Sequence, residues 1–182
     1  MGTKPHVLVL ILPVQGHINP LLQFSKIIAS RGIKVTVVFE SSIETTFQAD
    51  NQSELIKFEC MTEIIDQENV PENSAPDAWI EIAKVKVLEQ LPLILENKAS
   101  SGEPVNVLVY DSLPHYACDI AKQFGIQAAA FFTHSATVSA IYHHLHEGTL
   151  KFPSKEEPIT ISLPSLPYVF KPKDLPSYVY DS

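Results

Sequence analysis

Cysteine is scarce in this chain. The 182 residues hold two, Cys60 and Cys118. They lie far apart and lack the paired spacing of a metal site, so both read as reduced thiols of a cytosolic protein. Basic charge is also short: 13 Lys and Arg face 21 Asp and Glu, the net charge is -8 and the pI about 5.3. Such a surface repels phosphate backbones, which argues against nucleic-acid binding and attachment to anionic membranes. Long apolar runs are missing as well. Val7 to Leu12 is too short to span a bilayer and stops at Pro13. It has neither the basic leader nor the small-residue cleavage site of a signal peptide. Met1-Gly2 is followed by His6 where myristoylation wants Ser or Thr. Asn51-Gln52-Ser53 fits a glycosylation sequon but, without secretion, reads as a polar loop. Glycine-rich phosphate loops are absent too. The first strand-to-helix turn, Leu12 to His17, contains one glycine, Gly16, so it is no GxGxxG cradle. No P-loop is present, and Ser112 sits outside any GxSxG elbow and reads as a turn or cap.

What remains is a globular composition, 45% hydrophobic and 19% charged. The length suits one ordinary domain or one half of a larger enzyme. Strands and helices alternate. His6 to Leu12 is a continuous apolar run, the pattern of a strand buried on both faces. Asn19-Pro20 reads as a helix N-cap and first helical residue, with Leu21, Leu22, Phe24, Ile27 and Ile28 following at helical spacing and Gly32 as the stop. Ile33 to Phe39 is a second strand, rich in β-branched residues. A short helix is expected near Ile43 to Gln48, and a weaker third strand at Leu55 to Cys60. Residues 61–76 read as an acidic irregular loop, a solvated face around Glu63 to Glu72. A long helix is expected from Asp77 to Lys98, with Trp79, Ile82, Val85 and Leu88 on one side and Pro92 kinking or dividing it. Val105 to Tyr110 is a fourth strand, Leu113 to Phe124 a helix closed by Gly125, Ile126 to Phe132 a fifth strand, and Ser135 to Glu147 a helix closed by Gly148. Six of the 14 prolines fall in the last 30 residues, so the chain from Pro153 onward is expected to be extended and irregular.

Alternating β and α elements imply a parallel sheet with helices on both faces, an α/β Rossmann-like fold. Right-handed crossovers give the strand order 3-2-1-4-5. Strands 1 and 4 are then neighbours at the switch point, where a crevice opens beyond their carboxyl ends. His17 lies in the loop after strand 1, and Asp111 follows strand 4. A carboxylate on one ring nitrogen fixes the tautomer and leaves the other nitrogen free as a base. The adjacent helix N-terminus disfavours an imidazolium and Asp111 favours it, opposed effects that suit a general base. The plainer alternative at this point is that His17 caps a turn and Asp111 caps the following helix.

Other residues carry less. His143, His144 and His146 invite a metal reading, but no second ligand cluster accompanies them, and a partly exposed polar face fits better. Phe131-Phe132 reads as strand core. Trp79 either lines a ligand cleft or anchors its helix to the core. Tyr178 and Tyr180 either cover an apolar pocket or belong to a ragged terminus.

Leu12-Pro13-Val14-Gln15-Gly16-His17-Ile18-Asn19-Pro20-Leu21-Leu22 resembles the opening motif of the plant family 1 UDP-dependent glycosyltransferases. Val109-Tyr110-Asp111-Ser112, Ala121-Lys122-Gln123-Phe124-Gly125, Phe131-Phe132-Thr133-His134-Ser135 and Asp174-Leu175-Pro176-Ser177 follow in the family's order. The last is similar to the group that includes salicylate, auxin and triterpenoid glucosyltransferases. The resemblance covers essentially the whole chain. It implies the N-terminal half of a GT-B fold: residues 1–152 as an acceptor-binding domain, 153–182 as a proline-rich segment closing it, and a UDP-sugar-binding C-terminal domain outside this chain. It implies His17 as the base, Asp111 as its orienting carboxylate, and inversion at the anomeric carbon without a metal or cofactor. Gly16 and Thr133 would meet the donor sugar. Val14, Trp79, Leu113, His134 and Tyr142 would meet a small-molecule acceptor.

Two departures bear on the acceptor. Relatives usually carry Ser or Thr at the position of Val14, so an acceptor held by shape, a terpenoid, steroid or other bulky aglycone, is expected; they often have Gln at that of His134, so the acceptor contacts there are expected to differ. The His-Cys-Gly-Trp run that grips UDP is not present, in line with the missing phosphate cradle. Three readings follow. The first is the acceptor half of a glycosyltransferase. The second is a truncated module that binds a hydrophobic molecule or pairs with a full-length relative. The third is a flavodoxin-like nucleotide binder, which the absent phosphate loop disfavours.

Overall fold

The computed structural model describes residues 4–40, 43, 55–61, 77–150, 161–163 and 169–171. Contacts divide the chain into two compact units, Met1–Thr133 and His134–Ser182.

The first unit is built on five parallel strands: β1 His6–Leu10, β2 Lys34–Glu40, β3 Ile56–Met61, β4 Val107–Asp111 and β5 Gln127–Phe131. Their order is β3-β2-β1-β4-β5, as the alternation of elements requires. Val7 pairs with Val35 on one side and Val107 on the other, and Asp111 pairs with Phe131. Successive side chains of a strand point to opposite faces, so a strand covered on both sides must be apolar throughout. Residues 7–12 obey this. Val7, Val9 and Ile11 join Val35, Val37, Phe39 and the inward residues of helix α1, Gln15–Ser30. Leu8, Leu10 and Leu12 join Val38, Met61 and residues of helices α2, Asp77–Ser100, and α3, Ala117–Gln123. One core therefore lies on each face of the sheet, and β1 serves both.

Helix α1 begins four residues earlier than Asn19. Val14 is the N-cap in extended conformation, and its carbonyl accepts the amides of His17 at 2.8 Å and Ile18 at 3.3 Å. No side-chain cap is used, and Pro20 falls inside the helix. His17 thus stands in the first helical turn rather than in a loop. The buried face is Ile18, Leu21, Leu22, Ser25 and Ala29. Ile27 lies about 200° around the helix from Ser25 and is exposed, contrary to its expected place in the apolar stripe. Gly32, at a φ of 82°, ends the helix with its amide on the Ala29 carbonyl at 2.8 Å.

Helix α2 runs unbroken through Pro92. Its buried residues are Ala83, Val87, Leu91 and Leu95, a row with a spacing of four. Val85 and Leu88, expected on the inner side with Ile82, are exposed, and Ile82 is half-buried. The smaller side chains Ala83 and Val87 let the helix approach the sheet, and the row they begin wins over the larger apolar residues. Helix α3 is shorter than the Leu113–Phe124 segment expected, because residues 113–116 form a turn before it. Phe131 packs on Phe24 with ring centroids 5.2 Å apart, whereas Phe132, just beyond β5, is exposed rather than core.

In the second unit, Ser135 caps helix α4, Ala136–His146, by accepting the Val138 amide at 3.2 Å. Short strands β6, Ile161–Ser162, and β7, Val169–Phe170, pair antiparallel. Strands were not expected in this proline-rich stretch. They place Leu163 and Phe170 against Ile141, with Tyr142, Leu145 and Leu150 around them. The expected acidic loop beyond Met61, the Ile43–Gln48 helix apart from Ile43, Asn51, Tyr178 and Tyr180 lie outside the described residues. Among the described residues no helix is long and apolar enough to cross a membrane.

The two faces of α2 can be told apart by truncation. Leu91 is fully buried and Leu93 is 63% exposed. Leu91→Ala is expected to cost about 2–5 kcal/mol in urea unfolding, and Leu93→Ala to stay within about 0.5 kcal/mol.

Candidate functional site

The carboxyl edge of β1 and β4 gathers the site. β1 leads through Leu12, Pro13 and Val14 into the first turn of α1, which carries His17. Asp111 is the last residue of β4, adjacent to β1 in the sheet. The topology brings together side chains 94 positions apart: His17 Nδ1 lies 2.8 Å from both Asp111 Oδ1 and Oδ2. An ionised carboxylate can only accept, so Nδ1 carries the proton and donates, and Nε2 is left as the free acceptor. Asp111 is fully buried, while the His17 side chain keeps 18% exposure. The pair therefore has a shielded carboxylate and an imidazole edge that remains partly exposed.

Asp111 has a further donor. The Leu113 amide gives a hydrogen bond to Oδ1 at 3.2 Å. The carboxylate thus caps the turn after β4 while it meets the imidazole; it does not cap the following helix, whose N-cap is Tyr116 without a side-chain bond. The backbone bond was not foreseen, because an amide donor leaves no mark on residue type. The Ser112 amide donates to the Phe131 carbonyl at 3.1 Å and ties this turn to β5.

The other expected site residues distribute unevenly. Val14 and Leu113 are half-buried and pack against the core beneath α2 and α3. Gly16 is exposed next to His17, and a Cβ built there meets no heavy atom within 4 Å. The fold itself therefore does not demand glycine at this position. Thr133 is half-buried two residues past Phe131, the β5 partner of Asp111. His134 and Tyr142 belong to the second unit, where their rings pack edge to face with centroids 5.9 Å apart. The Trp79 side chain lies outside the described residues.

Two tyrosines lie close to Asp111 in sequence. Tyr110, beside Asp111 in sequence, is directed into the α2 and α3 core, and burial raises its phenol above the ordinary range. Tyr116 in the following turn is buried too, and burial pushes its phenol up to about 12, with Glu81 adding to the effect. Both remain neutral hydroxyls near physiological pH.

No three His, Cys, Asp or Glu side chains among the described residues gather as a metal site. His143 and His144 face each other edge to face at 5.6 Å, and His144 Nδ1 lies 2.8 Å from Thr149 Oγ1. Cys60 and Cys118 are not joined in a disulfide.

The arrangement has clear relatives. A family described as "Glycosyltransferase, N-terminal domain" matches residues 5–170. UDP-glucosyltransferase 74AE2 of Panax ginseng is 38% identical over 176 residues, 97% of this chain and 38% of that protein. Mogroside I-E synthase of Siraitia grosvenorii is 35% identical over 177 residues, 97% of this chain and 38% of its own length. The solved apo structure of Phytolacca americana UGT2 superposes with a TM-score of 0.81 at 20% identity, covering 98% of this chain and 40% of that one. This chain spans about two fifths of the length of these relatives.

Adding a methyl group at position 16 isolates ligand space from folding. Gly16→Ala is expected to leave stability unchanged or raise it by up to about 1 kcal/mol, since alanine is the better helix former. Thermal unfolding of the variant measures this, and a clear loss would mean that the fold does need glycine there.

Proposed function

The chain belongs to the glycosyltransferase N-terminal domain family, and from that membership we propose that it is the acceptor-binding half of a plant UDP-dependent glycosyltransferase. In this reading it moves a sugar, glucose by analogy with its relatives' names, from UDP-sugar to a hydroxyl or carboxyl of a hydrophobic small molecule. A C-terminal domain grips the UDP-sugar. The setting is the cytoplasm, and the transfer uses no metal or cofactor.

The observation that carries the reading is the bond between His17 Nδ1 and the buried Asp111 carboxylate. With Nδ1 held as a donor, Nε2 takes the proton of the acceptor O–H. The oxygen attacks the anomeric carbon, the bond from that carbon to the UDP oxygen breaks, and configuration inverts. Positive charge then forms on the ring at the N-terminus of α1, where the helix dipole opposes it. Asp111 offsets that opposition at short range in a shielded place. The Leu113 amide holds the carboxylate through the step.

The remaining roles follow from position. Gly16 leaves open space beside the base, which suits close approach of the donor sugar, and Thr133 offers a hydroxyl past the end of β5. Val14 and Leu113 present apolar surface near the pair, in keeping with an acceptor held by shape. Trp79, His134 and Tyr142 complete the acceptor contacts in this proposal.

The test joins the chain to the C-terminal domain of a UDP-glucosyltransferase and follows UDP release with a panel of aglycones. His17→Ala is expected to lower kcat/KM by about 10²–10⁴-fold. Asp111→Asn should lose about 10² or more, because its amide presents a donor to Nδ1 and favours the wrong tautomer. Proton NMR of the product should show an inverted anomeric centre. Near-normal turnover by His17→Ala would overturn the assigned base. Calorimetric acceptor binding with no turnover in the completed enzyme would replace the enzyme reading with a binding module.

A further inference from the structure

The strands of a parallel sheet all start from one side, so their amino ends gather at the edge opposite the His17–Asp111 pair. His6 opens β1, Lys34 opens β2, and Asn106 directly precedes β4. His6 is 2% exposed, although in sequence it passes as part of an apolar run. Its Nδ1 lies 2.9 Å from the Glu103 carbonyl oxygen and its Nε2 lies 2.8 Å from Thr36 Oγ1. A carbonyl only accepts, so Nδ1 donates, and in the neutral ring Nε2 accepts the Thr36 hydroxyl. The ring thus holds the connection that leads from α2 into β4 beside β1 and β2.

This connection borders a cavity of about 220 Å³, whose lining includes Lys4, His6, Lys34, Glu103 and Asn106. The main-chain amides of Lys34, Glu103 and Asn106 are spent on the carbonyls of Pro5, Lys98 and His6. Side chains supply the donors that remain. The His6 amide can only donate, and it does so to Asn106 Oδ1 at 2.8 Å. That bond fixes which end of the Asn106 side chain is oxygen and leaves its two Nδ2 hydrogens without an acceptor among the described residues. Lys4 is exposed and has no ion pair among the described residues. Lys34 pairs with Glu103 Oε1, which occupies one of its three N–H donors.

The charges leave a positive excess. Lys57 of β3 also reaches Glu103, at 3.1 Å, and with Lys34 it holds that carboxyl down at about 2. Lys98, near the end of α2, is paired with Glu59 of β3, and the two cancel. Lys4, Lys34 and Lys57 therefore share one carboxylate, Glu103, which leaves two positive charges in a chain whose net charge is -8.

We propose that this cavity binds a small dianionic tetrahedral oxyanion, either free phosphate or the phosphate group of a small phosphorylated molecule. Two negative charges on the ligand match the local excess. The ammonium groups of Lys4 and Lys34 give charge-assisted hydrogen bonds, and Asn106 Nδ2 adds a neutral donor. Asn106 is held in advance, because its side chain and its main-chain amide are both bonded to the main chain of His6. The site lies at the amino edge of the sheet, apart from the carboxyl edge where sugar transfer is proposed, and takes no part in gripping UDP.

Nitrogen–proton NMR of the 182-residue chain at pH 7.5 tests the site, with ionic strength held constant by chloride. Inorganic phosphate is titrated in one series and glycerol 3-phosphate in another. The Asn106 side-chain amide is expected to shift saturably, together with the Lys34 and Glu103 main-chain amides. Asn106→Asp keeps the acceptor for the His6 amide but exchanges both donors for a negative charge, and should raise Kd by about tenfold or more. Lys4→Met should raise it by about three- to fivefold. Lys122→Met, on α3 and paired with Asp119, should leave it unchanged. Tighter binding of the ester assigns the site to a phosphorylated molecule, and tighter binding of the ion assigns it to free phosphate. Shifts that fail to saturate, shifts as large around Lys122 as around Asn106, or an unchanged Kd in Lys4→Met would each overturn the proposal. Lys4 is exposed and precedes β1, so its variant carries the test even if Asn106→Asp does not fold.

Discussion

Removing an ionised carboxylate from water is costly unless donors replace the water it loses. Asp111 is fully buried at the end of β4, and the fold supplies those donors from two directions, the His17 ring and the Leu113 amide. Each depends on architecture. The imidazole arrives because α1 follows the strand beside β4, and the amide arrives because the chain turns sharply after β4. Removing the ring would leave the buried carboxylate with the Leu113 amide as its donor among the described residues, so the pair also bears on folding. The same shielding makes the carboxylate effective, since an unscreened charge 2.8 Å from Nδ1 acts strongly on the proton the ring carries.

The parallel sheet separates two histidines by environment. His6 is the first residue of β1, and His17 stands in the helical turn beyond the strand's other end. His17 keeps one nitrogen toward accessible space and faces an anion. His6 has both nitrogens committed to neutral partners and faces lysines. Burial, with the charges of Lys34 and Lys98, resists proton uptake by His6. Between the two histidines, β1 and the residues that follow it, Val7 to Leu12, are apolar on each face of the sheet.

The large features were legible in the sequence for physical reasons. Continuous apolar strands alternating with helices leave few topologies once right-handed crossovers are imposed, and the observed order is the one those rules select. The meeting of His17 and Asp111 follows from that order. What escaped notice has one cause in common: it lies in the backbone or depends on register. The true start of α1 is a cap made by the Val14 carbonyl, which no residue type announces, whereas Asn19-Pro20 imitates a conventional start. The inner face of α2 was misread because apolar residues occupy both sides, and the row starting at Ala83 is weak by hydrophobicity though decisive by size. The partnership of His6 with Thr36 becomes visible only when His6 is set level with Lys34 in the parallel ladder. The pairing of β6 and β7 was hidden by a composition that usually keeps the chain extended.

The placement of His17 in a helical turn has an evolutionary consequence. Its backbone is fixed by α1, whose inner residues are locked into a core, and its partner sits on an interior strand of the sheet. Neither belongs to a segment that can be lengthened, shortened or recomposed cheaply. The segments that end strands and begin helices elsewhere around the rim have that freedom. A lineage built on this scaffold can therefore vary its rim while inheriting one histidine–carboxylate geometry unaltered.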